Sequence, residues 1–193
     1  MNIVNVGYDS TNYYIIEAES GKLLVDCGWP GTLQKFMGVL KRKGISFQEI
    51  KFLLVTHFHP DHAGLVQELK NQGIKLILPE CQIAFISPFA GFFNGKNYPY
   101  IPISSNDNLV LKLEDSRKFL ANIGLNGEII HTPGHSDDSA TLILDEGFAF
   151  TGDLHPSFMN TDDAITRTSW DKIHQHKITR IFPGHGDSAV SNL

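Results

Sequence analysis

Apolar and polar residues alternate in short blocks along the first half of the chain. Tyr13-Tyr14-Ile15-Ile16 and Lys22-Leu23-Leu24-Val25 are β-prone runs separated by Ser20-Gly21, a break that predicts a hairpin. Leu33, Phe36, Met37 and Leu40 then recur at helical spacing, with Thr32 placed to cap the helix and Gly44 to end it. Phe52-Leu53-Leu54-Val55 is continuously apolar, as expected of a strand buried on both faces, and it runs directly into His57. Leu65, Val66 and Leu69 restore helical spacing up to Gly73, and residues 74–78 predict the next strand, so a βαβ unit is expected here.

The second half is less regular. Residues 85–103 break down into Gly, Pro and Asn around Phe85, Phe89, Phe92, Phe93, Tyr98 and Tyr100, which predicts a long loop. In a compact domain such a loop is usually functional or an interface. A helix is expected over 114–122 and strands over 128–131, 141–144 and 148–151, with Asp145-Glu146-Gly147 as a hairpin break. A helix over about 162–176 and a strand over 178–182 complete the pattern. No repeat, low-complexity tract or linker divides the 193 residues, so residues 1–193 read as a single domain.

Composition narrows the function. With 41% hydrophobic residues the chain can bury a sizeable core. Sixteen Lys+Arg against twenty-one Asp+Glu leave a net charge of -5 and no basic run, which argues against a nucleic-acid partner. Cys27 and Cys81 cannot build a disulfide framework and read as inert buried thiols. The start of the chain has no basic and apolar leader pattern, and no stretch approaches the roughly 18–20 apolar residues that span a bilayer. A soluble, cytoplasmic protein without a membrane partner is the expectation.

The nine histidines change the picture, because folding alone does not call for so many. His57-Phe58-His59-Pro60-Asp61-His62 places three imidazoles and a carboxylate within six residues at the mouth of a strand. Imidazole nitrogen and carboxylate oxygen suit borderline divalent ions such as zinc, and histidines two residues apart converge from an extended segment. Pro60 biases His59 towards that conformation, while Asp61 and His62 can face a second position. Thr132-Pro133-Gly134-His135, Thr151-Gly152-Asp153 and Pro183-Gly184-His185-Gly186 each put a further ligand type at a strand end, beside a glycine that permits close approach. Any one of these turns is also an ordinary surface turn. Together the four segments offer seven ligands, more than one tetrahedral ion uses, and they divide between two ions sharing Asp153.

These residues resemble the metallo-β-lactamase superfamily over essentially the whole chain, from Val25-Asp26-Cys27-Gly28 to Pro183-Gly184-His185-Gly186. The resemblance implies an α+β fold, an αββα sandwich of two mixed β-sheets flanked by helices. It implies that His57, His59 and His135 hold one metal, that Asp61, His62 and His185 hold a second, and that Asp153 bridges them. Asp26 is expected to orient a ligand imidazole. Two Zn2+ are the implied cofactors, and Mn2+ or Fe2+ also suit such donors. An ion pair of this kind lowers the pKa of bound water from about 15.7 towards 7. A metal-bridging hydroxide would then be the nucleophile, at a site of formal charge about +1 that favours neutral or anionic acyl substrates.

Within the superfamily the ligand set resembles glyoxalase II-like and lactonase-like members, which implies a hydrolase acting on a small ester, thioester or lactone. Asp153 stands where β-lactamases of the common zinc class carry Cys. Typical glyoxalase II proteins extend into a basic C-terminal region, whereas this sequence ends shortly after His185; Pro156 occupies the third place after Asp153, in the stretch where acyl-homoserine lactonases carry a tyrosine. A mononuclear iron persulfide dioxygenase, using His57, His135 and Asp153, is the alternative, followed by a phosphodiesterase or nuclease. Catalytic roles fall to Asp61, as a proton acceptor or relay, and to His155, which reads equally as a proton donor and as a solvent-facing loop residue. His131 reads as a satisfied strand residue, and His174 and His176 as surface residues. The aromatic stretch 85–103 is either a pocket wall for an acyl or aryl group or a self-buried segment or interface, specificity is placed in 85–103 and 155–162, and the oligomeric state is not legible.

Overall fold

In the computed structural model, residues 1–155 and 163–190 are described. Strands β1 (Ile3–Asn5), β2 (Tyr14–Ala18) and β3 (Gly21–Val25) form an antiparallel meander. Helix α1 (Leu33–Arg42) carries the chain back to β4 (Ile50–Leu54), which pairs parallel to β3. Helices α2 (Pro60–Ala63) and α3 (Val66–Asn71) then lead to β5 (Lys75–Pro79), parallel to β4, so the expected βαβ unit is present. After α4 (Ile86–Phe92), β6 (Leu109–Leu111) closes a six-stranded sheet in the order β1-β2-β3-β4-β5-β6.

Helix α5 (Ser116–Asn122) crosses to the second sheet. There β7 (Gly127–His131), β8 (Ala140–Leu144) and β9 (Phe148–Gly152) run antiparallel in turn, with the hairpin at 145–147 as predicted. Helix α6 (Ala164–His174) returns the chain to β10 (Arg180–Pro183), parallel to β9, and β11 (Ala189–Val190) closes the order β11-β10-β9-β8-β7.

Side-chain alternation along the strands decides the layers. Ile15, Leu24, Leu53, Leu76 and Leu78 pack with Phe36 and Leu40 of α1 and Leu69 of α3. Their neighbours Tyr14, Leu23, Val25, Leu54 and Ile77 turn the other way, onto Leu142, Leu144 and Phe150 of the second sheet. The outer face of that sheet, through Ile143 and Ala149, receives Trp170 and Ile173 of α6. The result is helix, sheet, sheet and helix, the α+β sandwich of two mixed sheets that the resemblance implied. Leu53, Leu54 and Val55 are buried, as their continuous apolar run required.

Several local expectations are corrected. Residues 85–103 are not all loop: a 3₁₀ turn at Glu80–Phe85 runs into α4, where Phe89 and the flanking Phe85 and Phe93 follow helical spacing, with Pro88 tolerated in the first turn. Thr32 occupies the position before α1, but its hydroxyl donates to Trp29 O at 2.7 Å instead of capping the helix. Gly44, at φ +69°, ends that helix region as expected. Strands β1, β6 and β11 were not read, since two or three residues are too short for alternation to register. Helix α6 is capped by Asp163, which accepts from Ile165 N and Thr166 N; the expected start at Asp162 lies outside the described residues. Cys27 is fully buried, whereas Cys81 is only half-buried. Among the described residues no helix is long and apolar enough to cross a membrane.

Phe150 is inaccessible to solvent, stacks on Phe182 at 4.7 Å between ring centroids and meets the edge of Tyr14 at 5.4 Å. Phe150→Ala is expected to lower unfolding stability by about 3–5 kcal/mol, measured by urea denaturation. A loss below ~1 kcal/mol would show that the two sheets do not depend on this contact.

Candidate metal centre

Topology brings the polar turns together. Strands β3 and β4 are parallel, and β7, β9 and β10 share one direction within the second sheet. The strand ends deliver Asp26 after β3, His57 after β4, His135 after β7, Asp153 after β9 and His185 after β10 to one edge of the sandwich. His59 precedes α2 with φ -108° and ψ 155°, the extended backbone that Pro60 demands. Asp61 and His62 belong to α2 itself.

The structure brings all seven expected donors into two adjoining groups. One comprises His57, His59, His135 and Asp153, the other Asp61, His62 and His185, and within each group the donor atoms lie within 4.8 Å of one another. His135 Nε2 is 3.0 Å from His59 Nδ1 and 3.5 Å from Asp153 Oδ2, which is 3.8 Å from His57 Nε2. In the second group Asp61 Oδ2 lies 3.5 Å from His62 Nε2 and 3.3 Å from His185 Nε2. Asp153 joins the groups, with Oδ1 at 3.2 Å from His62 Nε2 and Oδ2 at 3.3 Å from His185 Nε2. A tetrahedral ion with bonds of about 2.0–2.1 Å separates its ligands by roughly 3.3–3.4 Å, and these spacings scatter around that value.

The outer atoms of the imidazoles are already engaged. Asp26, 2% exposed, accepts from His62 Nδ1 at 2.8 Å, Thr56 N at 2.7 Å and Thr56 Oγ1 at 2.9 Å. Thr56 Oγ1 also lies 3.0 Å from His57 Nδ1, and His185 Nδ1 donates to Ser10 O at 2.6 Å. The inner atoms are different. Among the described residues the buried atoms His57 Nε2, His62 Nε2 and Asp153 Oδ1 make no well-directed hydrogen bond, although His62 Nε2 and Asp153 Oδ1 lie 3.2 Å apart, an arrangement suited to a further ligand between them. A divalent cation satisfies all three, so the donor set fits a metal.

Electrostatics lead to the same conclusion. Burial, reinforced by the neighbouring imidazoles, holds the His57 pKa well below the usual histidine value. Burial also opposes charge on His62, but the Asp26 and Asp153 carboxylates outweigh it and push its pKa up to about 10. Burial would raise Asp153, yet His62 and the other imidazoles bring it below the usual carboxylate range. The carboxylates thus demand positive charge at the point where the groups meet. Close packing enforces the geometry: a Cβ on Gly184 would collide with Asp153 Oδ1 and stand 2.7 Å from His62 Cε1.

Other expected residues fall at the margin. The exposed His155 ring lies 6.0 Å from the ring of His135, and its carbonyl accepts from Trp170 Nε1. Of the specificity stretch 155–162, residues 156–162 lie outside the described residues. His131 is satisfied by Asp137 O at 2.7 Å, His174 is exposed beside Trp170, and His176 is half-buried.

The N-terminal contribution went unread. Thr11 Oγ1 donates to Asp61 Oδ2 at 2.9 Å, while Asn12 Nδ2 donates to Pro183 O and Gly186 O, and Tyr14 OH to Pro183 O. Residues 8–12 look like a polar turn, and contacts across some 170 positions leave no local pattern to read. The 85–103 segment splits between its two readings. Phe93 and Tyr100 stack on each other at 4.0 Å, while Phe85, Phe89 and Phe92 wall a cleft that reaches His59 and Asp61.

Fold and site define the class: a two-sheet sandwich, covered by helices, with a His/Asp metal-binding cluster at one edge. A sequence model of the metallo-beta-lactamase superfamily matches residues 6–185, and the chain belongs to that superfamily. It is 31% identical over 184 residues to the beta-lactamase-like protein 2 homolog of Drosophila melanogaster, covering 92% of this chain and 59% of the relative. It is 27% identical over 192 residues to an atrochrysone carboxyl ACP thioesterase of Emericella nidulans, covering 95% of this chain and 53% of the relative. The chain therefore spans between half and three fifths of these curated relatives. A subclass B3 metallo-β-lactamase of Bradyrhizobium japonicum shares the fold, with a TM-score of 0.70 and 21% identity over 95% of this chain and 75% of that one.

Asp26→Ala leaves the buried His62 Nδ1 and Thr56 N without their acceptor. The expected cost is about 3–5 kcal/mol of unfolding free energy, read by chemical denaturation. An effect under ~1 kcal/mol would mean that this carboxylate does not hold the ligand turn.

Proposed function

We infer that the chain is a metal-dependent hydrolase of small acyl compounds and holds two divalent ions. The single observation that carries this reading is the division of seven donors into two groups that meet at Asp153, with buried inner atoms that make no well-directed hydrogen bond among the described residues. His57, His59 and His135 would hold one ion, Asp61, His62 and His185 the other, with Asp153 shared. Zinc is the first candidate, and manganese or iron suit the same donors. When bound, such ions lower the pKa of water towards neutrality and attract the negative charge that develops on a carbonyl oxygen.

The protein's own residues supply orientation and proton handling. Asp26 and Ser10 O hold the Nδ1 protons of His62 and His185, which leaves each Nε2 free to face inward. Thr11 fixes Asp61 through Oδ2, leaving Oδ1 as the candidate proton acceptor. His155, at the exposed rim beside His135, is assigned proton donation to the leaving group. Water adds to the acyl carbon, the bond from that carbon to oxygen or sulfur breaks, and the leaving group departs with a proton. No electrons are exchanged, so no redox partner is needed. A small ester, thioester or lactone fits this chemistry, and the thioesterase among the relatives supports it. The net charge of -5 favours a small-molecule substrate over nucleic acid.

Protein loaded with zinc or manganese is expected to carry about two ions per chain and to hydrolyse members of a thioester, lactone, β-lactam and phosphodiester panel, with the acyl compounds preferred. Asp153→Ala and Asp61→Ala should lose metal by elemental analysis and turnover together. One iron per chain with oxygen uptake on glutathione persulfide would overturn the reading in favour of a dioxygenase, and turnover confined to phosphodiesters would replace it with a nuclease. Asp26→Asn keeps the shape but weakens the acceptor, and is expected to lower metal affinity about 10–100-fold in a competition titration.

A further inference from the structure

A cleft of about 450 Å³ opens beside the metal centre, within the range that small-molecule sites occupy. His59 and Asp61 line it together with Phe58, Phe85, Phe89 and Phe92. The aromatics of this region fall into two kinds. Phe89, Phe93 and Tyr100 bury one another, with Phe89 edge-on to both partners. Phe92 remains 41% exposed and Phe85 is only partly buried, although both sit on the same short segment. Phe85 packs in part against the core, and Phe92 meets Phe93 edge-on at 5.1 Å with Lys96 over its ring, yet both rings also present a face to the cleft. Exposed aromatics that join an apolar surface beside polar catalytic groups mark a ligand site.

The wall is also registered against the metal ligands. Gln82, fully buried in the turn that precedes α4, reaches Val55 O at 3.0 Å and Thr56 O at 3.1 Å, immediately before His57. Asp138 Oδ2 accepts from Phe58 N at 2.7 Å, which ties the cleft wall to the residue after His57. The carboxylates of Asp61 and Asp138 both border the cleft and disfavour an anionic group within it. The apolar rings and Pro88 that make up most of the lining suit an uncharged alkyl or aryl group.

We propose that this cleft holds the acyl moiety of the substrate, an uncharged alkyl or aryl chain, with the scissile carbonyl beside His59 and Asp61. The proposal rests on the hydrolase reading and deepens it to apolar acyl esters and thioesters. Phe85 and Phe92 are then specificity-determining residues.

Binding and turnover test it separately. Straight-chain carboxylates from acetate to octanoate, titrated calorimetrically into the zinc-loaded protein, present a product-like headgroup with a growing tail. Affinity is expected to rise about fourfold per methylene until the cleft is filled, equivalent to ~0.8 kcal/mol each. Phe92→Ser and Phe85→Ser should each reduce that increment to below about twofold while retaining zinc, since neither side chain is a donor. N-acetylcysteamine thioesters of the same acyl series should follow the same order in kcat/KM, whereas lengthening the leaving group on an acetyl thioester should not. Affinity independent of tail length, an increment unchanged in both variants, or selectivity that follows the leaving group would overturn the proposal. A tail-length series in binding with no thioester turned over would uphold the cleft and remove the hydrolase reading alone.

Discussion

The Asp26 carboxylate is the interaction on which the candidate metal centre depends. It sits at φ +61°, a left-handed backbone that Asp tolerates better than most residues, just beyond the end of β3. From there it accepts from the backbone and hydroxyl of Thr56 after β4 and from the ring of His62 on α2. Three segments are thereby fixed by one side chain. Because the carboxylate is almost wholly buried, each donor it holds would otherwise be a stranded polar group. The strain at Asp26 and the desolvation of its charge are offset by these bonds, and the outcome is a His62 ring with one orientation and one nitrogen turned inward.

A second clamp joins the two ends of the chain. Residues 10–14 grip the loop after β10 through Asn12, Tyr14 and the carbonyl of Ser10, while Thr11 reaches Asp61. His185 is 41% exposed in its side chain and lies far in sequence from every other donor. Without this grip its position would depend on a short strand, β10, and a glycine-rich turn. The first sheet thus orients ligands of the second, and the face-to-face packing of Tyr14 and Leu54 against Phe150 keeps that relation rigid.

The cleft gives the centre a direction. His59, Asp61 and apolar rings line it together, and Gln82 and Asp138 tie the wall to the same turn that carries His57 and His59. The proposed acyl cleft and the candidate ligands are therefore carried by neighbouring backbone. A substrate that fills the cleft would place its reactive carbon by the packing of its tail.

Much of this was legible from the chain alone. The seven donors were readable because five imidazoles and two carboxylates beside Gly and Pro in strand-ending turns are improbable for any other reason, and the buried run ending at Val55 marked a central strand. Local sequence also encoded α1, α5, α6 and the hairpin at 145–147, where spacing or turn chemistry acts over a few residues. The edge strands, the true partners of Thr32, the helix within 86–92 and the grip of residues 10–14 were decided only in three dimensions. Periodicity reports which face of an element is apolar; it carries nothing about which distant polar group will meet another when two sheets close. Residue type set the chemistry of the centre, and the packing of the sheets set its geometry.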